Sequence, residues 1–180
     1  MRFPAIFLFL TVSLGVADVR NCVCDATKPE SLDARECSLC KAAEQQPAGA
    51  AIFFLKDTNP RKPNRWLALP RAHYKNGHGL EQMQPEERTM LWSAAMEKAK
   101  SLWGDQWGLA MNGELNRTQC HGHIHIGKLL DNVETDSFAV VKGPAEIPVP
   151  PDGAGLWVHP AGDSLHVHSG EQITETVLMR

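Results

Sequence analysis

Three histidines at alternate positions, His121, His123 and His125, are the side chains whose type and spacing best suit chemistry. Side chains on a β-strand alternate between faces. Gln119, His121, His123 and His125 would then share one face, with each imidazole about 6.6 Å from the next at roughly 3.3 Å rise per residue. Cys120, Gly122, Ile124 and Ile126 would take the other face, and the two isoleucines would bury there and fix the strand. A neutral imidazole is a good nucleophile toward phosphorus. Neighbours two residues away can hold its tautomer, donate to non-bridging oxygens or help a leaving group depart. Just upstream, Arg117, Thr118 and Gln119 supply a cation, a hydroxyl and an amide, the donor types that neutralise and orient phosphate oxygens. The same spacing also suits a three-histidine metal stripe, or a stripe that is only structural.

The elements that must position these residues are legible from punctuation and periodicity. Ala50 to Leu55 and Arg65 to Leu69 are apolar runs joined by turn chemistry at Asp57-Thr58-Asn59-Pro60 and Lys62-Pro63-Asn64, which predicts an antiparallel hairpin. Pro85-Glu86-Glu87 opens a helix to about Trp103, with proline in the first turn, acids where the dipole favours them, and Gly104 as its end. Strands are expected at Trp107 to Met111 and Gln119 to Leu130, separated by the polar turn Asn112 to Asn116. A further short strand is expected at Phe138 to Val141. Strand, strand, helix, strand, strand indicates an α+β domain built on an antiparallel sheet around one main helix. Trp66 and Trp92 are expected in its core. No internal repeat is present.

With these elements in place, the motif resembles the histidine-triad superfamily. The likeness rests on Leu109-Ala110-Met111-Asn112, Arg117-Thr118-Gln119 and His121-Gly122-His123-Ile124-His125-Ile126, and its nearest branch is the CDP-diacylglycerol pyrophosphatases. It extends upstream through Phe54-Leu55-Lys56-Asp57, Leu67 to Pro70 and Asn76-Gly77, covering about residues 50 to 130. The resemblance implies His123 as covalent nucleophile and His121 and His125 as phosphate-binding and positioning partners. It places Asn112 near a nucleoside sugar and Thr118 and Gln119 on the phosphates. The implied activity is hydrolysis or nucleotidyl transfer at a phosphoanhydride or phosphoester, needing no cofactor for catalysis. The implied substrate is a small nucleotide-containing molecule or a lipid nucleotide. A homodimer and association with a membrane surface are compatible with it. Two alternatives stand beside it: a non-enzymatic metal-binding protein using the triad and tail histidines, and a module that binds nucleotides or lipid head groups without turnover.

The cysteines admit two readings. Some histidine-triad proteins carry a structural zinc, and the matching positions here are Cys37, Cys40, His73 and His121, a closed tetrahedral set. In an oxidising compartment, up to two disulfides among Cys22, Cys24, Cys37 and Cys40 are expected instead, and these are favoured, leaving Cys120 as a buried free thiol. Export is expected because residues 1–17 read as a signal peptide, with Arg2 before an apolar run and small residues at Gly15 and Ala17. The destination is periplasmic or secreted, or membrane-anchored if that segment is not cleaved. The remaining chain divides into a cysteine-rich arm (18–47), the catalytic domain (48–130) and an extension packed on it (131–180). In that extension His166 and His168, followed by Glu171, carry the H-x-H of a cupin-like metal site. They are expected to be a solvated pair, with a lid over the triad, which Trp157 and His159 could join, or a secondary metal site as the alternatives. His73 and His78 are expected on a surface turn.

Composition sets the outer bounds. With 180 residues, 43% hydrophobic and 22% charged, the chain has enough apolar content for one globular domain. A net charge of -3 with scattered Lys and Arg gives no basic face for a nucleic-acid backbone.

Overall fold

A computed structural model describes residues 19–74 and 79–180, with the side chain of Arg20 excepted. The expected signal segment, Asn76-Gly77 and His78 lie outside the described residues. Among the described residues no helix is long and apolar enough to cross a membrane.

The fold is α+β. Seven strands, β1 (Ile52–Lys56), β2 (Trp66–Pro70), β3 (Trp107–Met111), β4 (Ile124–Lys128), β5 (Ala139–Val141), β6 (Leu156–Ala161) and β7 (Ser164–Ser169), form one antiparallel sheet. Their order across it is β1-β2-β4-β3-β6-β7-β5. The expected first hairpin is present, closed by the Asp57 N–H donating to the Arg65 carbonyl at 2.9 Å. A second hairpin, β6–β7, turns through two residues led by Gly162 at φ +60°, a conformation that glycine adopts without strain.

Helix α2 (Pro85–Trp103) covers one face of the sheet. Gln84 and Glu87 cap its start reciprocally, Pro85 takes its first turn, and Gly104 at φ +57° ends it. Its Leu91, Trp92, Ala95 and Ala99 pack on Leu109, Ile124, Ile126, Leu156 and Val158. Trp92 is in this core, whereas Trp66 is only partly buried against it, with Lys98 Nζ 4.2 Å above its ring.

The other face carries the side chains of the candidate site, and its covering changes along its width. At the β1–β2 end, the short helix α1 (Ser38–Glu44) lays Leu39, Ala42 and Ala43 on Phe53, Leu67 and Leu69. Over the middle, the last turn of the chain seats Val177 and Leu178 against Ala110 and Trp157. Leu178 fits because Gly108 and Gly127 offer no side chains there: a Cβ on Gly108 would lie 2.6 Å from Leu178 Cδ2.

Three expectations are corrected. The Gln119–Leu130 run is not one strand: β4 spans only Ile124–Lys128, and His121 and His123 precede it. Pro70 lacks an N–H to extend the ladder, and its carbonyl instead accepts from His121 Nε2–H at 2.7 Å. The Cys120 N–H meanwhile donates to Glu36 in the arm at 2.8 Å. Cys120 is not a free thiol, because it bonds Cys22, while Cys24 bonds Cys37. Cys40 is the thiol left over. The tail histidines are not a solvated pair, because β6 and β7 bury His168 and half-bury His166 under an aromatic and acidic cover described below.

Candidate active site

A cavity of about 410 Å³ opens beside the start of β4, within the size range of small-molecule sites. His123, His125, Asn112, Arg117, Thr118 and Gln119 all line it, joined by Lys62 and Glu175. The short segment before β4 and the strand itself set the two imidazoles edge-on, with ring centroids 4.8 Å apart and planes at 74°. His121 is not among the lining residues. Its ring turns toward the arm and meets His73 edge-on at 5.1 Å. The three histidines are therefore divided between two environments.

His123 is fixed by one hydrogen bond. Its Nδ1 lies 2.8 Å from the His121 carbonyl, which can only accept, so Nδ1 carries the proton and Nε2 keeps its lone pair. Burial pushes the ring pKa down to about 4, with the nearby Arg117 cation working in the same direction against the carbonyl bond. His123 is thus a neutral imidazole at ordinary pH. Burial, with His123 beside it, likewise holds His125 well below its usual range.

Glu175 is the residue that the sequence does not announce. It arrives from the short turn Glu175–Val177, with Oε2 3.7 Å from His125 Nδ1, 2.6 Å from Arg65 Nη1 and in contact with Lys62 Nζ. Burial would raise its carboxyl, but His125, Lys62 and Arg65 outweigh this and bring it down to about 2. Arg65, only 2% exposed, also donates to the carbonyls of Glu175, Leu178 and Met179, which ties the last turn to the β1–β2 loop.

The other expected residues take more specific places than their positions in the sequence indicated. Asn112 Oδ1 accepts from the backbone N–H groups of Thr174 and Glu175, both at 3.0 Å, so it caps the turn that delivers Glu175. Gln119 holds the arm: its Oε1 accepts from Ser38 Oγ at 2.8 Å, and its Nε2 donates to the Arg35 carbonyl at 3.0 Å. Arg117 is 2% exposed at the cavity wall. Burial disfavours its charge while Glu114 and Glu81 support it. Thr118 stands on the rim.

The four-ligand zinc set does not fit, because Cys37 is taken by Cys24. Cys40, His73 and His121 still bring one ligand atom each to within 4.8 Å of one another, a group that could hold a metal. Burial pushes the Cys40 thiol up to about 11, so it is protonated at ordinary pH, and His73 Nε2 is 2.7 Å from Glu44 Oε1. The two disulfides fit an oxidising, exported environment.

No protein-family model matches the chain, and no curated protein matches it either.

Proposed function

We propose that this chain is an exported hydrolase or nucleotidyl transferase of the histidine-triad kind, acting on a phosphoanhydride or phosphoester of a nucleotide through His123. The observation that carries the reading is the Nδ1–H of His123 held on the His121 carbonyl. It leaves a neutral Nε2 as nucleophile in a cavity that also holds Arg117 and Lys62. The motif's likeness to the CDP-diacylglycerol pyrophosphatase branch agrees with it and makes a lipid nucleotide a substrate to try first.

In this reading Nε2 attacks phosphorus and the bond from phosphorus to the leaving oxygen breaks, giving a phosphohistidine-type adduct. Water then attacks the adduct, or an acceptor hydroxyl does so in a transferase, and His123 is returned neutral. Arg117, Lys62 and Thr118 neutralise and orient the phosphate oxygens. The leaving phosphate oxygen departs as an anion, and neutral His125, with Glu175 3.7 Å behind it, is placed to take the proton from the attacking water. His121 acts at one remove, since its backbone carbonyl sets the tautomer of His123.

The test is cleavage of CDP-diacylglycerol, nucleotide sugars and dinucleoside polyphosphates by the exported domain, with His123→Ala alongside. Turnover by the parent and none by the folded variant supports the assignment. Equal activity in both, or none in either across the panel, overturns it.

A further inference from the structure

A second histidine cluster lies on the same sheet face, beyond the Leu178 strap. His159 on β6 and His166 and His168 on β7 all point away from the α2 core, because Val158, Leu165 and Val167 occupy the alternate positions and fill it. His168 stacks flat on Trp157, with centroids 3.7 Å apart and planes at 3°, and Phe138 stacks on His166 at 3.9 Å. Over this platform the loop between β4 and β5 brings Glu134 and Thr135.

We propose that Glu134, His159 and His168 form a binding site for one divalent late transition-metal ion of the zinc class, separate from the phosphate-facing cavity. One ligand atom from each lies within 4.8 Å of the other two. His159 Nε2 stands 3.4 Å from Glu134 Oε1. That is close to the edge, about 3.3 Å, of a tetrahedron whose metal–ligand bonds are about 2.0–2.1 Å long. His159 Nδ1 is 3.1 Å from the Pro160 carbonyl, which fixes the proton there and leaves the lone pair on Nε2. His168 Nδ1 has Thr135 Oγ1 at 3.2 Å. The Nε2 atoms of both histidines are buried and have no hydrogen-bond partner among the described residues, a cost that a metal would relieve.

His166 supplies the support that metal ligands require: its Nδ1 contacts the Glu134 carboxylate and holds it in place. Two imidazoles and one carboxylate favour zinc, copper or nickel over calcium and magnesium, which prefer oxygen donors throughout. Glu134 is 46% exposed along its side chain, so the fourth position opens to solvent. A bound ion would pin the Glu134 loop to the β6–β7 hairpin.

The site is tested on the full disulfide-bonded chain, stripped of metal and titrated with Co²⁺ and then Zn²⁺. Visible d–d bands and the rise in Tm are both followed. Four proteins are compared: the parent, Cys40→Ser, Glu134→Ala and His168→Phe. The phenylalanine keeps a ring on Trp157 without a nitrogen, and the exposed Glu134 can be removed without disturbing the core, so at least one tail variant stays folded. One equivalent that survives Cys40→Ser and binds at least about tenfold more weakly in the folded tail variants is expected. An equivalent that disappears with Cys40→Ser, binding unchanged in the tail variants, or no uptake at all overturns the proposal.

Discussion

Two groups of histidines share one face of one sheet and are surrounded by opposite partners. His123 and His125 share a cavity with Arg117 and Lys62, and their rings meet each other edge-on. His159, His166 and His168 lie against Trp157 and Phe138 and converge on the carboxylate of Glu134. Cations around the first group suit an anionic substrate, whereas a carboxylate and two lone pairs in the second suit a cation. Histidine spacing is the same in both motifs, H-x-H, so the environment rather than the pattern decides what each can bind.

The largest expected effect is on turnover. His123→Ala should lower kcat by about three orders of magnitude or more, while His166→Ala leaves it within about twofold, measured on whichever nucleotide the parent cleaves best. Similar losses in both variants would erase the distinction between the clusters. Next comes the tie between the arm and the segment before β4. Replacing Cys22 and Cys120 together by serine should cost about 2–5 kcal/mol, read from urea unfolding. Zinc-class binding at the hairpin should persist in the same protein.

Glu175→Gln sharpens the first cluster. Its carboxyl sits at about 2 in the folded protein, below its ordinary value of 4.5, so the stability it lends is fully present above that ordinary value. That stability is lost as pH falls from about 4.5 toward 2. The variant should flatten the stability profile in that window and lower kcat by about tenfold or more, with the pH profile of Tm as the first reading. An unchanged acid profile would show that Glu175 is not held ionised by its neighbours. The smallest effect is expected of Phe138→Ala, which removes the ring on His166. Because Phe138 is 40% exposed, about 1 kcal/mol or less should be lost, and activity should not change.

What could be seen in the sequence was local. Helix α2 was legible because Pro85, Glu87 and Gly104 each act within a turn of their own position. The β1–β2 hairpin was legible because its turn residues lie between two apolar runs. Adjacency also placed His123, His125, Arg117 and Thr118 in one site. Glu175 was hidden because nothing near it in Ile173-Thr174-Glu175-Thr176 marks it, and Arg65, more than a hundred positions away, fixes its place. The pairing of Cys120 with Cys22 was hidden for the same reason, at a sequence separation of 98. Alternation failed in the tail for a different cause. Trp157, His159 and His168 bury a face that a polar-versus-apolar pattern reads as exposed, because aromatic stacking and a carboxylate satisfy it.

The Leu178 strap also orders events in time. A ribosome delivers His123, His125, Lys62 and Arg117 first, and the carboxylate that faces His125 comes only when Glu175 emerges. Until Arg65 grips the carbonyls that follow, a nascent chain in transit carries its imidazoles without that partner. The Glu175 carboxylate therefore joins His125 only after the strands that hold the cavity have been made.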